Sequence, residues 1–205
     1  MITAQAEDGR KVILYEDVRW EYVQENDFKS INKQEYDFRR INLGASKKQV
    51  KASETEELLT EENTDYLEYR GNVAGMEARI AYHFQLNRLS GATIKLEEGK
   101  NVDRNTYLTE FYSLKAALNK KYGKSTEDNM LWRNNHYKNS PADLGLALMS
   151  GHVAIHSHWA TDAMTIMLLI DGKNNKIDFV IEYIGEVAAY LVDNKDSILQ
   201  IMQDL

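Results

Sequence analysis

The chain has 205 residues, of which 43% are hydrophobic, and its 32 acidic side chains outnumber 25 basic ones to give a formal net charge of -7. This length and apolar content are sufficient for a packed core. The acidic residues are spread along the chain, which argues against general binding to nucleic-acid phosphates or to an anionic membrane surface. No apolar run reaches the roughly 18–20 residues that span a bilayer. Because cysteine is absent, disulfides, thiolate nucleophiles and cysteine-ligated metals are excluded.

The first 33 residues form a candidate N-terminal appendage. Residues 12–15 and 19–23 each alternate apolar and polar side chains on either side of a polar turn, which predicts a β-hairpin. Residues 24–33 are rich in Asn, Asp, Lys and Ser and lack periodicity, so we predict a linker there. A hairpin alone is marginally stable in water, and we therefore expect it to dock on the main domain or to pair with another chain.

The first residues also bear on localisation. Ala4-Gln5-Ala6 has the small-x-small form of a signal-peptidase site, although no charged region and no apolar region precede it. One interpretation is an exported protein, periplasmic or extracellular, whose sequence here starts at or near the mature terminus with Met1 added for expression. The alternative is a chance alanine-rich terminus.

The main domain, which we place at residues 34–185, begins with a predicted helix that is followed by antiparallel strands. Ser46 is a favourable helix N-cap and Gln49 completes a capping box, so a helix should occupy residues 47–59. The acidic stretch 54–62 is expected to be a solvated face and loop. Alternating apolar residues and one tight connection predict strands at 65–69, 76–84 and 89–96.

The second half of this domain opens with the strongest helical pattern in the chain. Apolar residues recur every three or four positions between residues 105 and 122, and Gly123 supplies the C-terminal stop. Ser140 and Pro141 mark the start of a shorter helix that ends near Met149. Further strands are predicted at residues 130–132, 151–159, 164–170 and 177–183.

Together these elements predict an α+β fold, in which an antiparallel sheet is built from two helix-plus-meander blocks and the helices pack on one of its faces. Residues 186–205 form an amphipathic pattern that predicts a C-terminal helical tail. This tail either packs on its own domain or joins two chains in a homodimer. The predicted domains are therefore residues 1–33, 34–185 and 186–205, and the uncovered sheet face would carry the function.

Three segments, in the same order, resemble uncharacterised exported bacterial proteins. Residues 38–50 are similar to the Phe-Arg-x-x-x-Trp-Gly-x-Ser-x-x-x-Val opening of that group, with Leu43 in place of its tryptophan. Residues 118–124 resemble the end of its helix, and residues 159–183 resemble its closing strands. The resemblance covers residues 36–183.

Two further resemblances concern the fold. The Gly-x-Ser helix opening at Gly44 and Ser46 is similar to small outer-membrane-assembly lipoproteins and to the β-lactamase-inhibitor protein, in which helices pack on one face of an antiparallel sheet. Residues 8–22 resemble an N-terminal hairpin of exported bacterial proteins. These resemblances imply export and a fold used for binding, and they imply no catalytic residue.

The main chemical candidate is a group of three histidines. His152, His156 and His158 fall on one predicted strand, where a period of two projects their side chains from the same face. Two imidazoles of a His-x-His pair can bind one metal ion such as Zn²⁺. His152 lies too far along an extended strand to join the other two easily, and the sequence places no carboxylate as a further ligand. The alternative is a solvent-facing surface with ordinary polar histidines and no cofactor.

Other catalytic patterns are weaker. Ser157 and His158 are neighbours in sequence, but adjacent strand residues point to opposite faces, so they do not form a nucleophile and base. Nucleophile-elbow, dinucleotide-binding and P-loop motifs are missing from the sequence. Residues 171–175 are better explained as a hairpin turn than as a calcium loop. His83 is expected to be an exposed histidine on the sheet.

These patterns and resemblances favour an exported protein of the bacterial cell envelope that binds a protein partner without catalysis, through the open sheet face or an exposed edge. Two alternatives stay open. The first is a metal-dependent enzyme centred on His156 and His158. The second is an inhibitor or immunity-type protein, which only fold-level similarity suggests.

Overall fold

The chain divides into two compact units, Met1–Glu35 and Tyr36–Leu205. The computed structural model describes residues 2–5, 11–14, 20–22, 36–97, 103 and 105–186. The expected linker and, apart from Glu186, the expected C-terminal helix and its dimer seam lie outside the described residues. In the first unit three antiparallel strands pair in the order β1-β2-β3, and they are β1 (Ile2–Gln5), β2 (Lys11–Leu14) and β3 (Trp20–Tyr22).

The second unit is built on an eight-stranded antiparallel sheet. Its strands are β4 (Leu58–Asn63), β5 (Tyr66–Val73), β6 (Met76–Gln85), β7 (Arg88–Leu96), β8 (Glu127–Trp132), β9 (Val153–Ala160), β10 (Met164–Lys173) and β11 (Lys176–Gly185). Their spatial order is β4-β5-β6-β7-β11-β10-β9-β8. The pairing of β7 with β11, from Leu96 opposite Phe179 to Gly91 opposite Ile184, therefore joins distant parts of the chain at the centre of the sheet.

Three α-helices and one 3-10 turn accompany the strands in the described part of this unit. They are α1 (Lys47–Ser53), α2 (Thr106–Tyr122) and α3 (Leu144–Met149), with the 3-10 turn Pro141–Asp143 directly before α3. Ser46 and Gln49 form the capping box that the sequence predicted at the start of α1. None of the described helices has the length and apolar character needed to cross a membrane.

All three helices pack on the same face of the sheet. They contribute buried residues to one core together with the alternating apolar side chains of the strands, and these helical residues are Val50, Phe111, Leu114, Leu118, Ala147 and Leu148. Trp159 of β9 is 1% exposed, and its Nε1 donates to Asn119 Oδ1 at 3.0 Å and to the Gly123 carbonyl oxygen at 3.1 Å. Fully burying one such large apolar side chain contributes about 1.5–3 kcal/mol. The predicted α+β fold with an antiparallel sheet is confirmed.

Two predictions for the acidic stretch 54–62 are wrong. The helix ends at Ser53, because the Glu54 N–H closes its last turn by donating to the Val50 carbonyl oxygen and the chain then leaves the helical conformation. The following residues do not form a loop, since Leu58–Asn63 is the edge strand β4. All six of its side chains are exposed, so its sequence lacks the alternation that a half-buried strand shows.

Buried tyrosines on the helix-covered face make the fold sensitive to alkaline pH. Burial raises the pKa of the Tyr183 hydroxyl to about 12, and it also raises the pKa of Tyr69 and Tyr82. Tyrosine in an unfolded chain titrates near pH 10. Because these folded pKa values lie above the unfolded value, their contribution to stability is fully present below about pH 10 and is lost as the pH rises toward 12 and beyond.

We expect the free energy of unfolding to fall by about 1.4 kcal/mol per pH unit for each such tyrosine in this range. Urea unfolding at a series of pH values between about 9 and 12 measures the slope. The Tyr183→Phe variant removes one titrating group and should show a shallower fall by about that amount. An unchanged slope in Tyr183→Phe would contradict the assignment.

Candidate functional site

The described helices leave the second face of the sheet uncovered. Alternate residues of a strand point to opposite faces, so the strand register assigns each side chain to one of them. We call the uncovered side the open face. Taken across the sheet from β5 to β8, its residues include Tyr66, Glu68, Arg70, Arg79, Ala81, His83, Thr93, Lys95, Val180, Glu182, Ile184, Thr165, Met167, Leu169, His156, His158, Glu127, Asn129 and Leu131.

An apolar run lies on the open face where β10 and β11 meet. Leu169 is directly opposite Val180, and Met167 is the next open-face residue of β10. On β11, Glu182 lies opposite Met167, and Ile184 follows beyond it. Ile184 is 41% exposed, and the other three are half-buried. We call these four residues the apolar patch. Apolar side chains grouped on one face are more often an interaction site than single exposed apolar residues are.

Ion pairs border the apolar patch. The Arg133 guanidinium donates from Nη1 and Nη2 to the two carboxylate oxygens of Asp171, both at 2.7 Å. These hydrogen bonds hold the pKa of Asp171 below its usual range. Lys95 Nζ lies 2.6 Å from Asp178 Oδ1. Since each charge faces an opposite one, this border of the patch has little net charge.

The segment after Asp171 is a hairpin turn, as the sequence predicted. Asn174 and Asn175 have φ angles of 53° and 60°, the left-handed conformation that two-residue hairpin loops require. They connect β10 directly to β11. Because Asp171 is bonded to Arg133, its carboxylate is occupied.

His156 and His158 are the sequence-predicted site residues that the fold brings together. Nε2 of His158 lies 3.0 Å from Nδ1 of His156, and the two ring centroids are 5.0 Å apart. On the neighbouring strand β8, Glu127 is opposite His158 and Asn129 is opposite His156. Sequence reasoning missed these two residues, because it started this strand at residue 130.

The prediction that His152 shares a strand with the other two histidines is wrong. Gly151 has a φ of +72°, and the His152 N–H donates to the Ala147 carbonyl oxygen at 2.8 Å, so these residues still belong to the end of α3. Strand β9 begins only at Val153. The His152 ring instead stacks on Tyr137 with 5.4 Å between centroids. It is therefore not placed beside the histidine pair.

His83 is a separate histidine of the open face, on β6. Its Nε2 lies 2.9 Å from Thr93 Oγ1, and the residue is half-buried rather than exposed as expected. Burial lowers the pKa of His83, although nearby Glu182 acts in the opposite direction. The ring borders a cavity of about 210 Å³ that Gly91 and Ile184 also line. Three strands separate this site from the histidine pair on β9.

The motif of residues 38–50 lies on the helix side of the sheet rather than on the open face. Phe38 is 1% exposed, and its ring centroid lies 5.4 Å from that of Tyr82 and 4.5 Å from that of Tyr183. Val50 of α1 is fully buried in the same core. In this chain the motif therefore holds α1 against the sheet.

The fold and the open face together define an α+β protein whose antiparallel sheet presents one face free of the described helices. Comparison with protein-family models, curated proteins and solved structures finds no match to the chain.

Proposed function

We propose that this chain is a non-catalytic binding protein of the bacterial cell envelope, which holds a protein partner on the open face of its sheet. The observation that carries the proposal is the apolar patch, four apolar side chains of β10 and β11 on a face that no described helix covers. Partly exposed apolar side chains within a polar surround are typical of the centre of protein interfaces.

The partner is a protein segment that presents apolar side chains. Leu169 and Val180 are the directly opposite pair of the patch, and both are only half-buried, so such a segment can desolvate them. The bordering pairs of Arg133 with Asp171 and Lys95 with Asp178 satisfy their own charges. Affinity on this surface comes from apolar burial rather than from charge attraction.

The surroundings of the histidine pair also support binding over nucleophilic catalysis. His156 and His158 contact each other. Ser157, which lies between them in sequence, is 1% exposed and points to the helix-covered face. A serine nucleophile needs a base within hydrogen-bond reach on the same side of the strand.

The proposed location in the cell envelope, periplasmic or extracellular, rests on the resemblance of residues 38–50, 118–124 and 159–183 to exported bacterial proteins. In this chain Phe38 of that motif is buried in the core, and Ser46 caps α1.

The second candidate, an inhibitor or immunity-type protein, rests on the resemblance of the helix opening at Gly44 and Ser46 to the β-lactamase-inhibitor protein. We propose that the sheet consists of two blocks, α1 with β4 to β7 and α2 with β8 to β11, which meet where β7 pairs with β11, and that β2 and β3 form an added hairpin. For an inhibitor or immunity-type protein, the bound segment would be a surface loop of an enzyme.

Site-specific photo-crosslinking in a bacterial host tests which surface meets a partner. A photoreactive residue in place of Leu169 should give one discrete crosslinked species, whereas the same residue in place of Leu86 should not. Leu86 is the matched control because it is an apolar residue in the turn between β6 and β7 and is 91% exposed. Equal crosslinking at both positions would contradict the proposal.

The crosslinked partner, once purified, allows a quantitative test. Leu169→Arg should weaken its binding by more than about tenfold, because the bound apolar segment would have to desolvate a charge without a partner. Leu86→Arg should leave the affinity unchanged within about twofold. If both variants bind like the unmodified protein, the open face is not the binding surface.

A further inference from the structure

We propose that His156 and His158 bind a Cu²⁺ ion on the open face, a function distinct from the binding of a protein partner. The nitrogens that face each other, His156 Nδ1 and His158 Nε2, are 3.0 Å apart. Two nitrogens that ligate one ion at about 2.0 Å are about 2.8 Å apart at a right angle and about 3.3 Å apart at a tetrahedral angle. The two nitrogens, which share a hydrogen bond in this structure, are therefore about as far apart as two ligands of one metal, and the ion would replace the shared proton.

The neighbouring strand supplies oxygen donors for the same ion. Glu127 is directly opposite His158, and Asn129 is directly opposite His156. Side chains of directly opposite residues start about 4.5–5.5 Å apart at Cβ. The Glu127 carboxylate now accepts a hydrogen bond from the Asn129 side-chain amide, and both residues are exposed. Glu127 therefore becomes a third ligand by rotating toward the histidines.

The described residues contain no group of three or more His, Cys, Asp or Glu side chains that is close enough to hold a metal ion without such a rotation. The two imidazoles are accordingly the first two ligands of the proposed site, and Glu127 and water complete the coordination. The half-buried histidine rings and the exposed carboxylate leave this side of the ion open to solvent. The site is thus one of moderate affinity that binds and releases its metal readily.

The donor set favours copper among the divalent metals. Two imidazole nitrogens with carboxylate and water oxygens bind Cu²⁺ more tightly than other first-row divalent ions. Because imidazole binds metal in its neutral form, the affinity should fall as the pH is lowered.

Titration of the full-length, tag-free protein with CuSO₄ after removal of metal by a chelator tests the site. We expect one equivalent of Cu²⁺ to bind, with electron paramagnetic resonance showing hyperfine coupling to two imidazole nitrogens. ZnSO₄ should bind more weakly. His156→Gln and His158→Gln should each weaken Cu²⁺ binding by more than about tenfold, since loss of even an outer-shell partner costs that much.

His83→Gln is the matched control, because His83 lies on the same face and is bonded to Thr93 rather than to another histidine. This variant should bind Cu²⁺ as the unmodified protein does, and thermal melts should show that all three variants are folded. Glu127→Gln should weaken Cu²⁺ binding while both imidazole couplings persist. Absence of Cu²⁺ binding, or binding that survives the loss of both His156 and His158, would overturn the proposal. Either result leaves the crosslinking test of the apolar patch unaffected.

Discussion

Glu54→Ala is expected to lower the free energy of unfolding by about 3 kcal/mol. The Glu54 side chain is 5% exposed, and its two carboxylate oxygens accept hydrogen bonds from Arg39 Nε at 2.9 Å and Arg39 Nη2 at 3.2 Å. The buried Tyr82 hydroxyl also donates to this carboxylate. Alanine would leave both donors without this acceptor. Removing one partner of a buried ion pair costs about 3–5 kcal/mol, and we take the lower end because Arg39 is 25% exposed and keeps its contact with Glu57 at 2.7 Å.

Glu56→Ala is the matched control for this experiment. Glu56 is 77% exposed and lies 4.0 Å from Arg40, so its removal should change stability by less than about 0.5 kcal/mol. Urea unfolding measures both variants, and Tyr82→Phe with the double variant completes a cycle that should show coupling above about 0.5 kcal/mol. If Glu54→Ala costs no more than Glu56→Ala, the contacts of Glu54 with Arg39 and Tyr82 do not stabilise the fold.

The sequence was sufficient for the parts of the fold that local periodicity specifies. Helix α2 was predictable because its apolar residues recur at helical spacing and Gly123 ends it. The hairpin of β6 and β7 was predictable because apolar residues alternate along Met76–Gln85 and a short connection at Leu86 and Asn87 separates them from the next strand. These signals depend on neighbouring residues alone.

The group formed by Arg39, Glu54, Glu57 and Tyr82 could not be predicted, because it depends on contacts between residues far apart in sequence. Glu54 and Glu57 belong to an acidic stretch that resembles an ordinary solvated surface. Only the position of Arg39, 15 residues before Glu54, and of Tyr82, 28 residues after it, brings their charges and hydroxyl together. The edge strand β4 was missed for a related reason, since it pairs with β5 alone and buries none of its side chains.

The candidate site was likewise predictable only where the spacing of neighbouring residues specifies it. The spacing of His156 and His158 places both on one face of a strand whatever its partners are. Their neighbours Glu127 and Leu169 follow only from the register of β8 and β10, which the sequence does not specify. His152 was misplaced because the end of a short helix extended into the residues that were expected to start the strand.

Gly172→Ala is expected to have the largest effect on the helix-covered face. A Cβ at Gly172 of β10 would lie 1.8 Å from the Leu148 carbonyl oxygen and 3.1 Å from the Met149 Cα. These are backbone atoms of α3, so rotation of a side chain cannot relieve the clash. The helix must move away from the sheet, which withdraws Ala147 and Leu148, both fully buried, from the core. Overpacking and loss of a large buried side chain together cost about 3–5 kcal/mol.

Gly75→Ala separates this clash from the general cost of replacing a glycine. Gly75 has a φ of +87°, and a Cβ there would meet no atom within 4 Å, so alanine should cost only about 1–2 kcal/mol through its backbone conformation. Urea unfolding compares the two variants. Hydrogen exchange should show that Gly172→Ala loses protection in Leu144–Met149, whereas β10 and β11 keep theirs. An equal cost for both variants, with α3 still protected, would mean that the helix adjusts to the added methyl group and that its close approach to Gly172 does not hold it on the sheet.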